Sequence, residues 1–169
     1  MFRIIFICTG NTCRSPMAEF LLKNILKNER LDDLVEVRSA GLAALPGDTI
    51  NEKARSVLFE DYRIDTNGHR STAVTDYLLD EQDLILTMTT EHADRVRMIR
   101  PDLSDKVFTV IEYYLEALKH LDAGAELPPY TSLSVADPLG QARSVYQDTA
   151  AMLQEYLLTI TEFIRFQLG

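Results

Sequence analysis

Phe2-Arg-Ile-Ile-Phe-Ile-Cys8-Thr-Gly-Asn-Thr-Cys-Arg-Ser-Pro16 decides how this chain folds. Phe2 to Ile7 is a short apolar run and reads as a buried strand. Met17 to Leu26 reads as a helix. A loop that leaves a strand and enters a helix N-terminus points its free backbone N–H groups at one spot. Cys8 opens that loop and Arg14, six positions on, closes it. A thiol and a guanidinium on either side of such a spot suit attack on a phosphoryl group.

Outward from this stretch, apolar runs of strand length alternate with helical patterns. The first helix runs to about Asn28. Leu34–Ser39 reads as strand 2, ended by Gly41. Asn51 to about Phe59 reads as a helix, with Asn51 as N-cap and Ala54, Val57 and Leu58 on one face. Asp83–Met88 is strand 3, apolar on both faces as parallel strands are. Thr90–Ile99 is a helix stopped by Pro101, and Val107–Ile111 a short fourth strand. Ala142–Phe166 is a long terminal helix with Val145, Ala150, Leu153, Leu157, Ile160, Ile164 and Leu168 near helical spacing. The alternation predicts an α/β fold, a parallel sheet with helices on both faces. Ligands in such sheets sit beyond the carboxyl ends of the strands, where Cys8 falls. Asp122 to Val135 has the least pattern and reads as a surface excursion.

Composition narrows the possibilities. A chain of 169 residues is by default one domain, here 1–169. No run approaches the roughly 18 apolar residues of a membrane span. Phe2 to Ile7 is too short for the apolar core of a signal peptide, and two cysteines five apart suit a reducing cytoplasm. A formal net charge of −9 argues against a nucleic-acid or anionic-membrane partner. It says little about an anion held in a small pocket, where local donors decide. Nothing here sets an oligomeric state, and a monomer is the default.

A cysteine attacks as the thiolate, so the site must hold negative charge on sulfur. The loop amides and the helix dipole favour it, Arg14 is a permanent cation, and Ser15 can donate a hydroxyl hydrogen bond. Arg14 can also take two phosphoryl oxygens in its fork. Thr9 and Gly10 line the loop, with Gly10 allowing close backbone approach. Asn11 tolerates the left-handed conformation of a tight cradle. A metal centre is not expected, because Cys8 and Cys13 have no second Cys pair or His-x3-His partner. No Gly-Lys-Ser/Thr ends the loop, so it is not a nucleotide-binding P-loop. Neither metal nor cofactor is implied. A phosphocysteine enzyme needs a proton donor for the leaving group and a base for the water that follows. Asp137, in Val-Ala-Asp-Pro-Leu-Gly, is the candidate, although Asp-Pro is also an ordinary turn signal.

Taken together, these residues resemble the low-molecular-weight protein tyrosine phosphatase family over nearly the whole chain. The resemblance rests on Cys8-x5-Arg14-Ser15-Pro16, Arg38-Ser-Ala-Gly41, His69-Arg70-Ser71, Asp83-Leu-Ile-Leu-Thr-Met88 and Asp137-Pro138. It implies a four-stranded parallel sheet flanked by helices, of Rossmann-like type. It also implies that Cys8 is the nucleophile, Arg14 the phosphoryl-binding residue and Asp137 the general acid and later base. Ser15 would stabilise the thiolate, while Asn11, Ser39 and His69 would hold the loop's shape. The substrates implied are phosphorylated proteins.

Two details point to one branch. Tyrosine-directed members usually carry a branched apolar residue where this chain has Thr12, and aromatics directly after Asp-Pro where it has Leu139-Gly140. The loop looks like that of the bacterial protein arginine phosphatases, in which the Thr makes the pocket polar and the Asp pairs with the substrate guanidinium. A cationic, planar leaving group favours a carboxylate and a hydroxyl over an apolar wall. Arginine phosphatases often have Phe after Asp-Pro, so Leu139 departs from the substrate platform of that branch. Cys13 either traps an oxidised Cys8 as a disulfide or is a structural thiol beneath the loop. The rival readings are a phosphotyrosine phosphatase and a non-catalytic module that senses phosphate or oxidant.

Overall fold

The computed structural model describes residues 1–122 and 132–169. Four parallel strands form one sheet: β1 (Phe2–Cys8), β2 (Val35–Gly41), β3 (Leu84–Thr87) and β4 (Val107–Thr109), in the order β2-β1-β3-β4. The helices are α1 (Arg14–Asn28), α2 (Glu52–Tyr62), α3 (Asp76–Asp80), α4 (Thr90–Ile99), α5 (Val110–Leu121) and α6 (Arg143–Leu168). A 3-10 turn over Pro101–Lys106 precedes β4. The expected α/β architecture is therefore the observed one.

Alternation along β1 sorts the two cores. Ile4, Phe6 and Cys8 point to the larger one, shared with α1, α2, α5 and α6. Ile5 and Ile7 point to the smaller one, with Leu79 of α3 and Ala93 and Val96 of α4. Both faces of β1 are thus buried, which is why its sequence runs apolar without a break. Tyr113 and Tyr114 are buried in the larger core. Tyr113 lies against Phe108 and Phe163, and Tyr114 stacks on Tyr156 with ring centroids 4.3 Å apart.

Several boundaries differ from expectation for identifiable reasons. The first helix begins at Arg14, so Arg14, Ser15 and Pro16 form its first turn. Proline is tolerated there because its missing N–H has no intrahelical partner to lose. Strand 2 starts one residue later than expected, at Val35, and includes Ala40 and Gly41, with Gly41 its last residue. Strand 4 stops at Thr109, not Ile111. Thr109 Oγ1 accepts from Glu112 N and the Glu112 carboxylate accepts from Thr109 N, a capping box that turns Val110 and Ile111 into the buried face of α5. On α6 the inner stripe contains Tyr146 in place of the half-buried Val145, and Leu168 is exposed as the helix ends. Of the expected excursion at 122–135, residues 123–131 lie outside the described residues. Its end is well tied: Val135 is buried and its N–H donates to Met88 O at 2.7 Å. Among the described residues no helix is long and apolar enough to cross a membrane.

Candidate active site

The loop from Cys8 to Cys13 leaves the carboxyl end of β1, and α1 starts immediately after it. Cys8 and Asn11 are buried, as are Arg14 and Ser15. Asn11 takes the left-handed conformation, φ 55°, a region open to asparagine at low cost. This single residue bends the loop back so that its own N–H donates to Cys8 Sγ at 3.3 Å.

Five further hydrogen bonds hold Asn11. Its Nδ2 donates to Ser15 Oγ at 2.9 Å and Ser39 Oγ at 2.8 Å, and its Oδ1 accepts from Thr72 N at 2.9 Å. Its carbonyl accepts from Ser71 Oγ at 2.9 Å and from His69 Nε2 at 2.8 Å. A carbonyl can only accept, so His69 carries its proton on Nε2. Ser39 Oγ donates onward to Glu19 Oε2. The expected network of Asn11, Ser39 and His69 thus exists, and Glu19, Ser71 and Thr72 extend it.

The same network settles the direction of the bond at the sulfur. Ser15 Oγ already accepts from Asn11 Nδ2, and it lies 2.8 Å from Cys8 Sγ against 3.5 Å from Ala40 O. The hydroxyl hydrogen is best spent on Cys8. One O–H and one backbone N–H therefore converge on the sulfur.

Backbone spacing, not loop glycine, sets the cradle's wall. A Cβ on Gly41 would stand 2.5 Å from Thr9 O and 3.0 Å from Asn11 N, so only glycine lets β2 pass this close. Gly10 is less constrained than expected, since a Cβ there meets only Thr12 Oγ1, at 3.6 Å. The loop's outer edge is fixed by Leu42 N to Cys8 O at 3.0 Å, Ala43 N to Thr9 O at 2.9 Å and Asn51 N to Thr12 O at 2.8 Å.

Arg14 spans the gap to the segment before α6. Its Nη1 donates to Val135 O at 3.1 Å, and its Nη2 pairs with Asp137 Oδ2 at 3.3 Å. Asp137 Oδ1 also accepts from Leu139 N at 3.1 Å. The structure therefore joins Cys8 to Ser15 and Arg14 to Asp137, with Arg14 and Ser15 adjacent in the first turn of α1. Leu139 stands exposed nearby in sequence, and Thr12 is half-buried.

Cys13 is buried beneath the loop, its Sγ 3.7 Å from Tyr146 OH. Burial pushes the Cys13 thiol up from its ordinary value, only partly opposed by hydrogen bonds from Tyr146 and Thr12. Both cysteines are free. Among the described residues no group of three or more His, Cys, Asp or Glu side chains is placed to hold a metal.

Sequence reading missed Glu19, Tyr146 and His92. A carboxylate inside the run Met17-Ala-Glu19-Phe-Leu-Leu22 was a usable signal, since an acid on an inward helix face needs a partner. Tyr146 and His92 carry no such mark.

A thiol at the centre of a strand-to-helix anion cradle, closed by an arginine and an aspartate, defines a cysteine-dependent phosphatase fold and site. The sequence matches the model of the low molecular weight phosphotyrosine protein phosphatase family over residues 3–165, and the chain belongs to that family. It is 38% identical over 162 residues to a protein-arginine-phosphatase of Bacillus subtilis, covering 96% of each chain. It is 31% identical over 151 residues to the low molecular weight protein-tyrosine-phosphatase Wzb of Escherichia coli, covering 89% of this chain and 87% of that one. Among solved structures, a YwlE arginine phosphatase carrying a phosphorylated active-site serine in a cysteine-to-serine variant superposes with a TM-score of 0.80. That pair is 35% identical, covering 97% of this chain and 96% of the other.

Proposed function

We propose that this chain works as one phosphatase domain that hydrolyses phosphoarginine on proteins through a phosphocysteine at Cys8. The observation that carries the arginine assignment is Thr12. It places a half-buried hydroxyl at the loop position where an aryl-binding pocket needs hydrocarbon, in a cradle that Asp137 closes through Arg14. The protein-arginine-phosphatase of Bacillus subtilis, at 38% identity, supports the same reading.

In this mechanism Cys8 Sγ attacks phosphorus while Arg14 and the loop amides hold the equatorial oxygens. The P–N bond breaks and the guanidine leaves with a proton from Asp137. Asp137 then takes a proton from water, whose oxygen attacks the phosphocysteine and releases inorganic phosphate and the free thiolate. Thr9, Gly10, Asn11, Thr12, Cys13 and Ser15 form the substrate cradle, Leu139 its rim, and Ser39 and His69 its support. No metal or cofactor enters this scheme. Cys13 is the thiol that traps a peroxide-oxidised Cys8 as a disulfide, releasing water. Its seat against Tyr146 also suits a structural thiol. The exposed side chain of Leu139 supports a second reading, a phosphotyrosine phosphatase with an apolar lip for an aryl ring.

The deciding experiment is turnover of phosphoarginine and phosphotyrosine proteins by the same preparation, with rapid-quench trapping of phosphocysteine. Faster turnover of phosphoarginine is expected; a clear tyrosine preference overturns the arginine assignment.

A further inference from the structure

His92 is a buried titratable group that the mechanism above does not use. It lies in the first turn of α4, where its backbone N–H donates to the N-cap Thr89 Oγ1 at 3.1 Å. Its ring Nε2 is 2.8 Å from Oγ1 of Thr9, on the catalytic loop. Its other ring nitrogen, Nδ1, is buried and has no hydrogen-bond partner among the described residues.

The unpartnered nitrogen fixes the tautomer. A proton on Nδ1 would bury an N–H donor with nothing to receive it, which costs more than burying a bare ring nitrogen. The proton therefore sits on Nε2, and Nε2 donates to Thr9 Oγ1. A hydroxyl that accepts from His92 keeps its own hydrogen to give elsewhere. Thr9 is exposed, so that hydrogen has no need of a protein acceptor and can go to a substrate oxygen. With the proton on Nδ1 instead, Thr9 would have to donate back to His92 and would offer substrate only a lone pair, the wrong polarity for a phosphoryl dianion.

We propose that His92 is a positioning residue that acts through Thr9, holding the Thr9 hydroxyl as a hydrogen-bond donor toward the bound phosphoryl group. The charged groups around the ring fit this role. Burial first, and then the positive charge of Arg14 on α1, lower the His92 imidazole below its ordinary value. Glu91 on α4 and Asp137 before α6 pull the other way and do not prevail. The imidazole thus stays a single-proton donor at neutral pH.

The inference rests on the phosphatase reading but not on the arginine assignment, so it is tested on two substrates. kcat and KM are measured for His92→Ala, His92→Gln, Thr9→Val and the double variant His92→Ala/Thr9→Val, with para-nitrophenyl phosphate and with a phosphoarginine peptide. A loss of about tenfold in kcat/KM is expected for His92→Ala and for Thr9→Val, the size of one misdirected hydrogen bond to a charged group. His92→Gln, whose amide N–H can donate, recovers most of the loss. The double variant is no worse than Thr9→Val alone, because one effect acts through the other. Wild-type rates in His92→Ala, or losses that multiply in the double variant, overturn the proposal. Nitrogen-15 NMR of the unmutated protein gives an independent reading that does not depend on how variants fold. It should find Nε2–H with a bare Nδ1 at neutral pH; a neutral ring with its proton on Nδ1 overturns the proposal. Turnover of the aryl phosphate alone would sink the arginine assignment and leave His92 to be judged on that substrate. A wild-type protein inert on both substrates overturns both.

Discussion

Arg14 and Asp137 form an ion pair, Nη2 to Oδ2 at 3.3 Å, that ties the first turn of α1 to the segment before α6. The arginine is buried and the aspartate side chain is half-exposed. The buried guanidinium is thus held by Val135 O and by Asp137, and in the proposed mechanism it is oriented before a phosphoryl group arrives. The half-exposed aspartate is the group proposed to protonate the leaving group.

Proton transfer and orientation can be separated at this pair. Asp137→Asn keeps the size of the side chain and an oxygen for Leu139 N, but it neither gives nor takes a proton. Asp137→Ala removes everything. Both variants should lose at least about 100-fold in kcat, the usual scale of general acid–base catalysis. If Asp137→Asn keeps near-wild-type kcat in steady-state assays, Asp137 serves only to orient Arg14.

Thr12 sets the second prediction. Thr12→Ile keeps the β-branch and replaces the hydroxyl with hydrocarbon, so the backbone bond from Asn51 N to Thr12 O should survive. The ratio of kcat/KM for phosphotyrosine over phosphoarginine should rise by at least about tenfold, through lost hydroxyl contacts and a new apolar wall. An unchanged ratio removes Thr12 from the specificity argument.

What the sequence made legible was local. Cys8, Arg14 and Ser15 lie within one strand-loop-helix passage, and their spacing alone implies a common centre. Asn51 announced itself as an N-cap by type and place, and its Oδ1 does accept from Lys53 N at 2.9 Å. Ser39 and His69 came through family resemblance, because nothing local marks a serine on β2 or a histidine in a turn as a loop support. Contacts made by tertiary packing left no sequence trace: His92 meets Thr9 across 83 positions, and Tyr146 meets Cys13 across 133. The error at strand 4 has a different origin. The run from Val107 to Ile111 is mostly apolar and β-branched, which suits a strand, but the Thr109-x-x-Glu112 capping box ends the strand and starts the helix.

Gly41 gives a third prediction, at a position no chemistry requires. Alanine there would drive its Cβ to 2.5 Å from Thr9 O and 2.9 Å from the Ala44 Cβ. Either β2 or the catalytic loop must shift. Gly41→Ala should cost about 1–3 kcal/mol, a fall of roughly 2–4 °C in Tm for each kcal/mol in a chain of this size. Thr9 and Asn11 belong to the Cys8 loop, so any part of the shift that the loop takes up should lower kcat/KM as well. A variant with lowered Tm but wild-type kcat/KM would show that β2 moves and the loop holds.

The last prediction concerns alkaline pH. Cys13 and Tyr146 meet under the loop, and burial raises both above their ordinary values of 9.0 and 10.0. In the unfolded chain each group loses its proton first, so the unfolded state binds fewer protons than the native one above about pH 9. Stability then falls as pH rises. Below the unfolded values both states are protonated and the pair adds no pH dependence. Urea midpoints should therefore be flat with respect to these groups at neutral pH and decline from about pH 9 upward. The double variant Cys13→Ala/Tyr146→Phe should lose most of that decline while giving up packing at every pH. Alkylation offers a second measurement. Iodoacetamide at neutral pH should modify Cys8 and leave Cys13 untouched, with Cys13 labelled only as the pH passes well above 9. Early modification of Cys13 would mean that the loop opens often enough to expose it, and that burial does not govern its ionisation.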